Sequence, residues 1–217
     1  MNYTQLVLFS FSIFFAAIIG LARFKNLDRE YYPFIYCTWL AAINEVVSFL
    51  LTRWGFTNII NNNIYILLEA LFITWQFKKW DTFGGNTKIF TGLFKLILVA
   101  WLLEYTVFSS INKVGFFCRI FYALLIVLMS INITSWLLVN SRGVLLKNPT
   151  FLICAGYIIF FTFKILTEAL WLFGVTFSEP VSIQVYIIFT WINFFVNILF
   201  FIAVLCIPPR PRLLSFS

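Results

Sequence analysis

Histidine is absent from this 217-residue chain, its only aspartates are Asp28 and Asp81, and charged residues make up just 11% of it. Without histidine there can be no Ser–His hydrolase and no HExxH metalloenzyme, and a zinc or haem site loses its commonest ligand. Both aspartates fall between apolar runs, so no pair of carboxylates can form an intramembrane aspartyl protease. No aspartate-rich cluster exists to hold magnesium and diphosphate. The four cysteines, Cys37, Cys118, Cys154 and Cys206, show neither CxxC nor metal-ligand spacing and read as packing residues. The expectation is a chain that is not an enzyme and carries no cofactor. Scarce charge also excludes an ordinary water-soluble domain, in which about a quarter of residues are charged.

What fills the space is hydrocarbon. Apolar residues are 62% of the chain and aromatic ones 21%, including 29 phenylalanines, and the mean hydropathy is +0.97. Runs of about 20 apolar residues, the length that crosses a bilayer core, recur seven times. They cover roughly residues 6–22, 33–52, 63–77, 89–108, 116–139, 151–174 and 184–207, with polar or Gly/Pro breaks between them. The expected fold is all-α: one transmembrane domain over residues 1–217, a bundle of seven helices. The last run contains no lysine that could form a retinal Schiff base. The Asp-Arg-Tyr and Asn-Pro-Tyr signatures of the large eukaryotic receptor class are missing too.

The basic residues give the bundle a direction. Arg23, Lys25, Arg29, Lys78, Lys79, Lys88, Arg142, Lys147, Arg210 and Arg212 lie in the first, third and fifth loops and the C-terminal tail. Only Arg53 and Lys113 lie in the other loops. Positive charge collects on the cytoplasmic side, so the N-terminus is expected outside and the C-terminus inside. The net charge of +7 then reflects orientation and anionic headgroups rather than nucleic acid. The first run has no basic residue ahead of it and positive charge behind it, so it reads as a retained anchor rather than a cleaved signal. Usage rich in Phe, Ile and Asn points to a low-GC bacterium and hence its inner membrane. Trp39, Trp54, Trp75, Trp80 and Trp171 sit near run ends, as interfacial anchors do.

Four glutamates interrupt the runs: Glu45, Glu69, Glu104 and Glu168. At about 1.5 Å per residue, each falls roughly 6–11 Å below the outer end of its helix. A charge at such depth costs about 2.5–3.5 kcal/mol on insertion scales, so it must face protein or water. Helical spacing puts Thr38, Glu45, Ser48 and Thr52 on one stripe with Asn44 beside it. Asn62, Tyr65, Glu69 and Gln76 form a second stripe, near Asn63, and Tyr186, Thr190, Asn193 and Asn197 a third. Lys164 and Glu168 are spaced to neutralise each other locally. Arg119 is placed for Glu104 or for headgroups. Lys95 snorkels to the cytoplasmic face, and the first run lies at the periphery against lipid. Glu69, with no cation on its helix before Lys78, is expected to be the unpaired centre.

The reading that follows is a Glu-lined polar pocket in the outer half of the bilayer. Its ligand-binding set is Glu45, Glu69, Glu168, Glu104, Asn44, Asn63, Tyr65 and Asn193. Clustered carboxylates suit proton coupling or capture of a cation, so the expected function is a transporter or permeation pathway for a small cationic or zwitterionic solute. The alternative is a sensory or accessory subunit that receives a ligand, lipid or partner membrane helix, because mid-membrane Gly/Pro breaks of the kind discontinuous helices use are missing. A looser pattern is the echo of Asn44–Glu45 and Tyr65–Ile66 in Thr167–Glu168 and Tyr186–Ile187. It suggests three helices, a linker helix and three more in parallel.

Overall fold

A computed structural model describes residues 9–141, 143–173 and 179–210. Arg142, Arg212, the start of the first run and the end of the sixth lie outside them. Among the described residues seven α-helices are taken in order: α1 Ile13–Arg23, α2 Tyr32–Arg53, α3 Ile59–Lys79, α4 Thr87–Leu103, α5 Phe116–Asn140, α6 Pro149–Leu172 and α7 Glu179–Cys206. Five segments are long and apolar enough to cross a membrane: Arg29–Arg53, Thr87–Phe108, Phe116–Asn140, Pro149–Leu172 and Ile183–Cys206. The first four contain α2, α4, α5 and α6, and the last lies within α7. The described part of α1 has 11 residues, and α3 is interrupted by Asn61, Asn62, Asn63, Glu69 and Gln76.

Local chemistry sets the helix ends. Pro33 and Pro149 occupy first-turn positions, where no amide hydrogen is needed. Asn148 accepts from the amides of Thr150 and Phe151 at 2.9 and 3.3 Å, and Asn86 accepts from Lys88 at 3.0 Å. The asparagine run at the start of the third apolar run forms the opening turns of α3. Asn58 donates to Ser48 at 2.7 Å and Asn61 to Asn44 at 2.8 Å, tying α3 to the end of α2. At the other end of that hairpin the Gln76 amide accepts from Phe34 N–H at 2.8 Å and donates to the Glu30 carbonyl at 2.7 Å. One side chain thus satisfies a helix start and the turn before it.

The helices close into a ring. α1 packs against α2 and α7, α2 against α3, α3 against α5, α5 against α6, and α6 against α7. Helix α4 touches α3 and α5 from outside, and only 11% of its apolar window is buried, against 44% for α5. The expectation that the first run is the peripheral one is therefore corrected. Ile13, Ala16, Ala17 and Gly20 give α1 a small-residue face that lets it fit between α2 and α7. Phe15, Ile18 and Leu21 remain exposed on its other side. Lys95 lies on exposed α4.

We call the end where α2 meets α3 and α4 meets α5 the upper end. The lower end is sealed by a clamp between the first loop and the chain after α7. Arg23 donates to the carbonyls of Val204, Leu205 and Ile207 at 2.8, 2.8 and 3.1 Å, satisfying acceptors that a helix end leaves open. Leu27 pairs with Pro209 as an isolated bridge and is fully buried. The four cysteines are free thiols.

Glycines test this packing. A methyl on Gly156 of α6 would sit 3.1 Å from Cδ1 and 3.2 Å from Cζ of Phe200 on α7, whereas one on Gly92 of α4 meets nothing within 4 Å. Gly156→Ala should lower stability by about 1–3 kcal/mol, the usual cost of overpacking. Gly92→Ala should leave it unchanged or raise it slightly, as alanine favours helix. Thermal unfolding of the purified protein in detergent checks both.

Candidate functional site

The ring encloses a cavity of about 650 Å³, within the range of small-molecule sites. Residues of α1, α2, α3, α5, α6 and α7 and of the segments just before α1 and α5 line it, and none comes from α4. Its upper rim includes Asn62, Val114, Trp171 and Tyr186, and Trp171 and Tyr186 are exposed. Its floor is Phe34, Ile73, Tyr157, Phe161 and Phe200. From Trp171 to Tyr157 along α6 the helical rise gives a depth of about 20 Å. Polar groups crowd the upper two thirds, and aromatic rings form the base.

Of the residues singled out from the sequence, Glu45, Glu69, Glu168, Asn44, Tyr65 and Asn193 line this cavity, together with the rest of the α7 stripe. Glu104 and Asn63 do not. Glu104 opens a π-helical turn, Glu104–Phe108, and turns toward the start of α5. There its carboxylate accepts from Phe117 N–H at 3.1 Å and also from Cys118 N–H. A carboxylate on the first amides of a helix is a cap, favoured by the positive end of the helix dipole. Gly115 allows this approach, because any Cβ there would press on the Glu104 carboxyl carbon at 2.9 Å. Asn63 is fully buried outside the cavity and holds the loop before α5: its amide donates to the Ile111 and Lys113 carbonyls, each at 2.9 Å. Its own oxygen accepts from Arg119 at 3.0 Å.

The ion pairs differ from those the spacing suggests. Lys164 does not pair with Glu168, one turn above it. Its ammonium lies 3.6 Å from Glu69 on α3 and donates to the Tyr122 hydroxyl on α5. Tyr122 in turn donates to Glu69 at 3.2 Å, and Tyr65 donates to the other Glu69 oxygen at 2.6 Å. Glu168 is met instead by Arg119 on α5 at 3.1 Å. The physical reason is side-chain direction. Helical side chains lean toward the N-terminus, so a lysine one turn before a glutamate is the weaker order for a local pair, and Lys164 leans down and across to α3. Glu69 is therefore not the unpaired centre.

That position belongs to Glu45. Among the described residues Glu45 makes no ion pair and accepts no hydrogen bond, although it lines the cavity. Three glutamates and two cations face this space, leaving one negative charge unmatched. Two polar atoms of other cavity-lining residues, the Arg119 Nε and the Tyr157 hydroxyl, are buried without a hydrogen-bond partner. The glutamates also sit in two layers rather than one. Counting from the upper helix ends, Glu168 is about 6 Å deep, Glu45 about 12 Å, and Glu69 about 15 Å because α3 starts at Ile59.

Sequence reasoning passed over Tyr122 and gave Arg119 and Lys164 the wrong partners. A signal was present: Arg119, Tyr122, Ile126 and Ser130 follow helical spacing, and all are buried along α5. No protein-family model, curated protein or solved structure matches the chain.

The pairing makes a direct prediction. Glu69→Gln strands Lys164 in a buried site, and breaking a buried pair from one side costs about 3–5 kcal/mol. Glu45→Gln removes a charge that has no partner and should leave stability within about 0.5 kcal/mol. Thermal or denaturant unfolding of the two variants should separate them clearly. Equal losses would mean that Glu45 too is held by the fold.

Proposed function

We propose that this protein is a seven-span membrane protein that takes a small organic cation into the cavity and carries it across the bilayer. The observation that supports this reading is the unmatched Glu45 in a site where the other two carboxylates already have cations. A negative charge held in a low-dielectric cavity attracts a proton or a cationic solute, and a cavity of about 650 Å³ has room for a molecule far larger than a metal ion. No catalytic chemistry belongs to this reading.

With the upper end facing outward, as the distribution of lysine and arginine suggests, the cavity receives its cargo from outside. α1 and α3 complete the membrane crossings in this orientation, and the polar face of α3 is turned to the cavity rather than to lipid. Cysteine tags in the α2–α3 and α4–α5 connections of intact cells should react with an impermeant maleimide. Tags in the α1–α2, α3–α4 and α5–α6 connections should be protected, and the reverse pattern would invert the path of the solute.

The loose internal echo fits the same reading. Asn44, Glu45 and Tyr65 from one half and Thr167, Glu168 and Tyr186 from the other all line the cavity, and α4, the linker in that scheme, lies outside the ring. Two halves that rock about a shared site are a common way to alternate access.

A second reading has its own support. Below the aromatic floor Leu27, Phe77, Gln76 and Ile207 are fully buried, so the cavity has a closed base, as a ligand-sensing subunit would have. Flux decides between the two. Proteoliposomes loaded with buffer should accumulate radiolabelled phenethylamine under an inside-acidic or inside-negative gradient, and Glu45→Gln should cut the rate at least about tenfold, equivalent to about 1.4 kcal/mol. Phenethylamine binding without flux would favour the sensor. Neither binding nor flux would remove the organic-cation reading.

A further inference from the structure

The charges around the cavity can be counted with and without a ligand. Glu69 is matched by Lys164 at 3.6 Å and Glu168 by Arg119 at 3.1 Å, so these four groups sum to zero. Glu45 makes the difference. With its carboxylate ionised the empty cavity carries a net negative charge, and with the carboxyl protonated it carries none. The Glu45 oxygens are open to the cavity: they have no hydrogen-bond partner, yet they are not among the unpartnered side-chain atoms that the fold seals from solvent. A proton or a ligand can therefore reach them.

The other titratable groups facing this space supply Glu45 with no partner. Among the described residues α1 and the segment before it offer none, α2 adds only the Cys37 thiol, and α7 only the Tyr186 phenol. Helix α3 brings Tyr65 and Glu69, which are bonded to each other. Helix α5 brings Arg119, and α6 brings Lys164, Glu168 and the sealed Tyr157. Both cations are engaged by the other two carboxylates. A charge inside a membrane needs an opposite one, and the transmembrane potential acts on any net charge that moves. Two loadings of this cavity are neutral: a proton on Glu45, or a cationic ligand against its ionised carboxylate. The empty ionised form is not neutral, and neither is a cation beside a protonated Glu45. The site thus takes a proton or a cation, one at a time.

We propose that the protein is an exchanger: Glu45 holds a proton when no solute is bound and releases it when an organic cation binds, so that each cation crossing one way is balanced by a proton crossing the other. This rests on the organic-cation reading above and adds what drives the movement. The binding step balances. An ammonium arrives from solution, the carboxyl O–H bond breaks, its proton passes to water, and ammonium and carboxylate remain as an ion pair. The cavity is neutral before and after, so no net charge is carried in either direction. A pH gradient therefore drives uptake, and the membrane potential does not.

Proton release on binding reads the exchange at the site. Phenethylamine binding to the full-length protein in nanodiscs is measured by calorimetry in two buffers of different ionisation enthalpy, at a pH where the amine itself is fully charged. One proton should be released per amine bound, and affinity should rise with pH by up to about tenfold per unit, the slope that linkage sets for one proton. Glu45→Gln, a fixed copy of the protonated carboxyl, should bind at least about tenfold more weakly and release no proton, with thermal unfolding to show that it is folded. In proteoliposomes, phenethylamine uptake above that of protein-free vesicles should follow an inside-acidic gradient and ignore an inside-negative potential at equal pH. Binding without proton release, release that survives Glu45→Gln, or uptake driven by the potential alone would overturn the exchange while leaving an organic-cation site standing. Proton release without flux would overturn it in favour of the sensor. Absence of both binding and flux would overturn it together with the reading on which it rests.

Discussion

A buried charge in a hydrocarbon-embedded bundle must meet an opposite charge or a set of donors, and the upper half of this structure is arranged around that requirement. Arg119 and Lys164 each reach to a neighbouring helix, one to Glu168 and the other to Glu69. The two bridges join α5 to α6 and α6 to α3, and Tyr122 adds α5 to the second. With the Arg119–Asn63 hydrogen bond between α5 and α3, three helices otherwise packed largely through apolar side chains acquire a fixed relative register at this level. Lipid tails are as apolar as leucine, so the hydrophobic effect does little to choose between one helix rotation and another. Polar links make the choice, and an error of one residue would strand a charge.

The cavity is a consequence of the same arrangement. Helices held apart by long side chains meeting end to end cannot also close on a dry, small-residue seam. The lower end shows what happens without such spacers. Gln76, Phe77, Leu27 and Ile207 fill the interior there, and Arg23 binds the last carbonyls of α7. A ring with charged spacers above and a hydrogen-bonded clamp below is necessarily a cup. α4 takes no part in lining it: Glu104, just after the helix, is used on the start of α5, and Trp101 donates to the Asn63 carbonyl outside the cavity.

The sequence made the helices legible because apolar run length is a property of contiguous residues. It also marked most of the inward faces, since Thr38, Glu45, Tyr65, Glu69, Thr190 and Asn193 repeat at helical spacing and all reach the cavity. Partner choice was not legible. Whether Lys164 meets Glu168 or Glu69 depends on which helix lies opposite and at what height, and neither is written in local spacing. The same limit misplaced α1. Its Ala16, Ala17 and Gly20 look unremarkable in an apolar run, yet smallness is what admits a helix to a tight ring. Glu104 was misassigned because a carboxylate near a helix end looks the same in sequence whether it faces a cavity or caps its neighbour. Composition left open whether the asparagines at the start of the third run are loop or first turn; Asn44 and Ser48 on α2 supply partners to Asn61 and Asn58, and the run is helical.

The unequal treatment of the three cavity glutamates carries the functional argument furthest. If the carboxylates served only to lock helices, each would be expected to have a fixed donor, because an unpartnered charge destabilises the fold it is supposed to hold. Glu69 has two hydroxyl donors and an ammonium at 3.6 Å, and Glu168 has a guanidinium. Glu45 has neither, so replacing it would cost the fold no hydrogen-bond or ion-pair partner. In the proposed reading, a residue that gives the resting bundle no ion pair and lines this cavity has its use when something else occupies the space. In the proposed reading that occupant is a cation. Its arrival completes the charge balance that the helices leave one short.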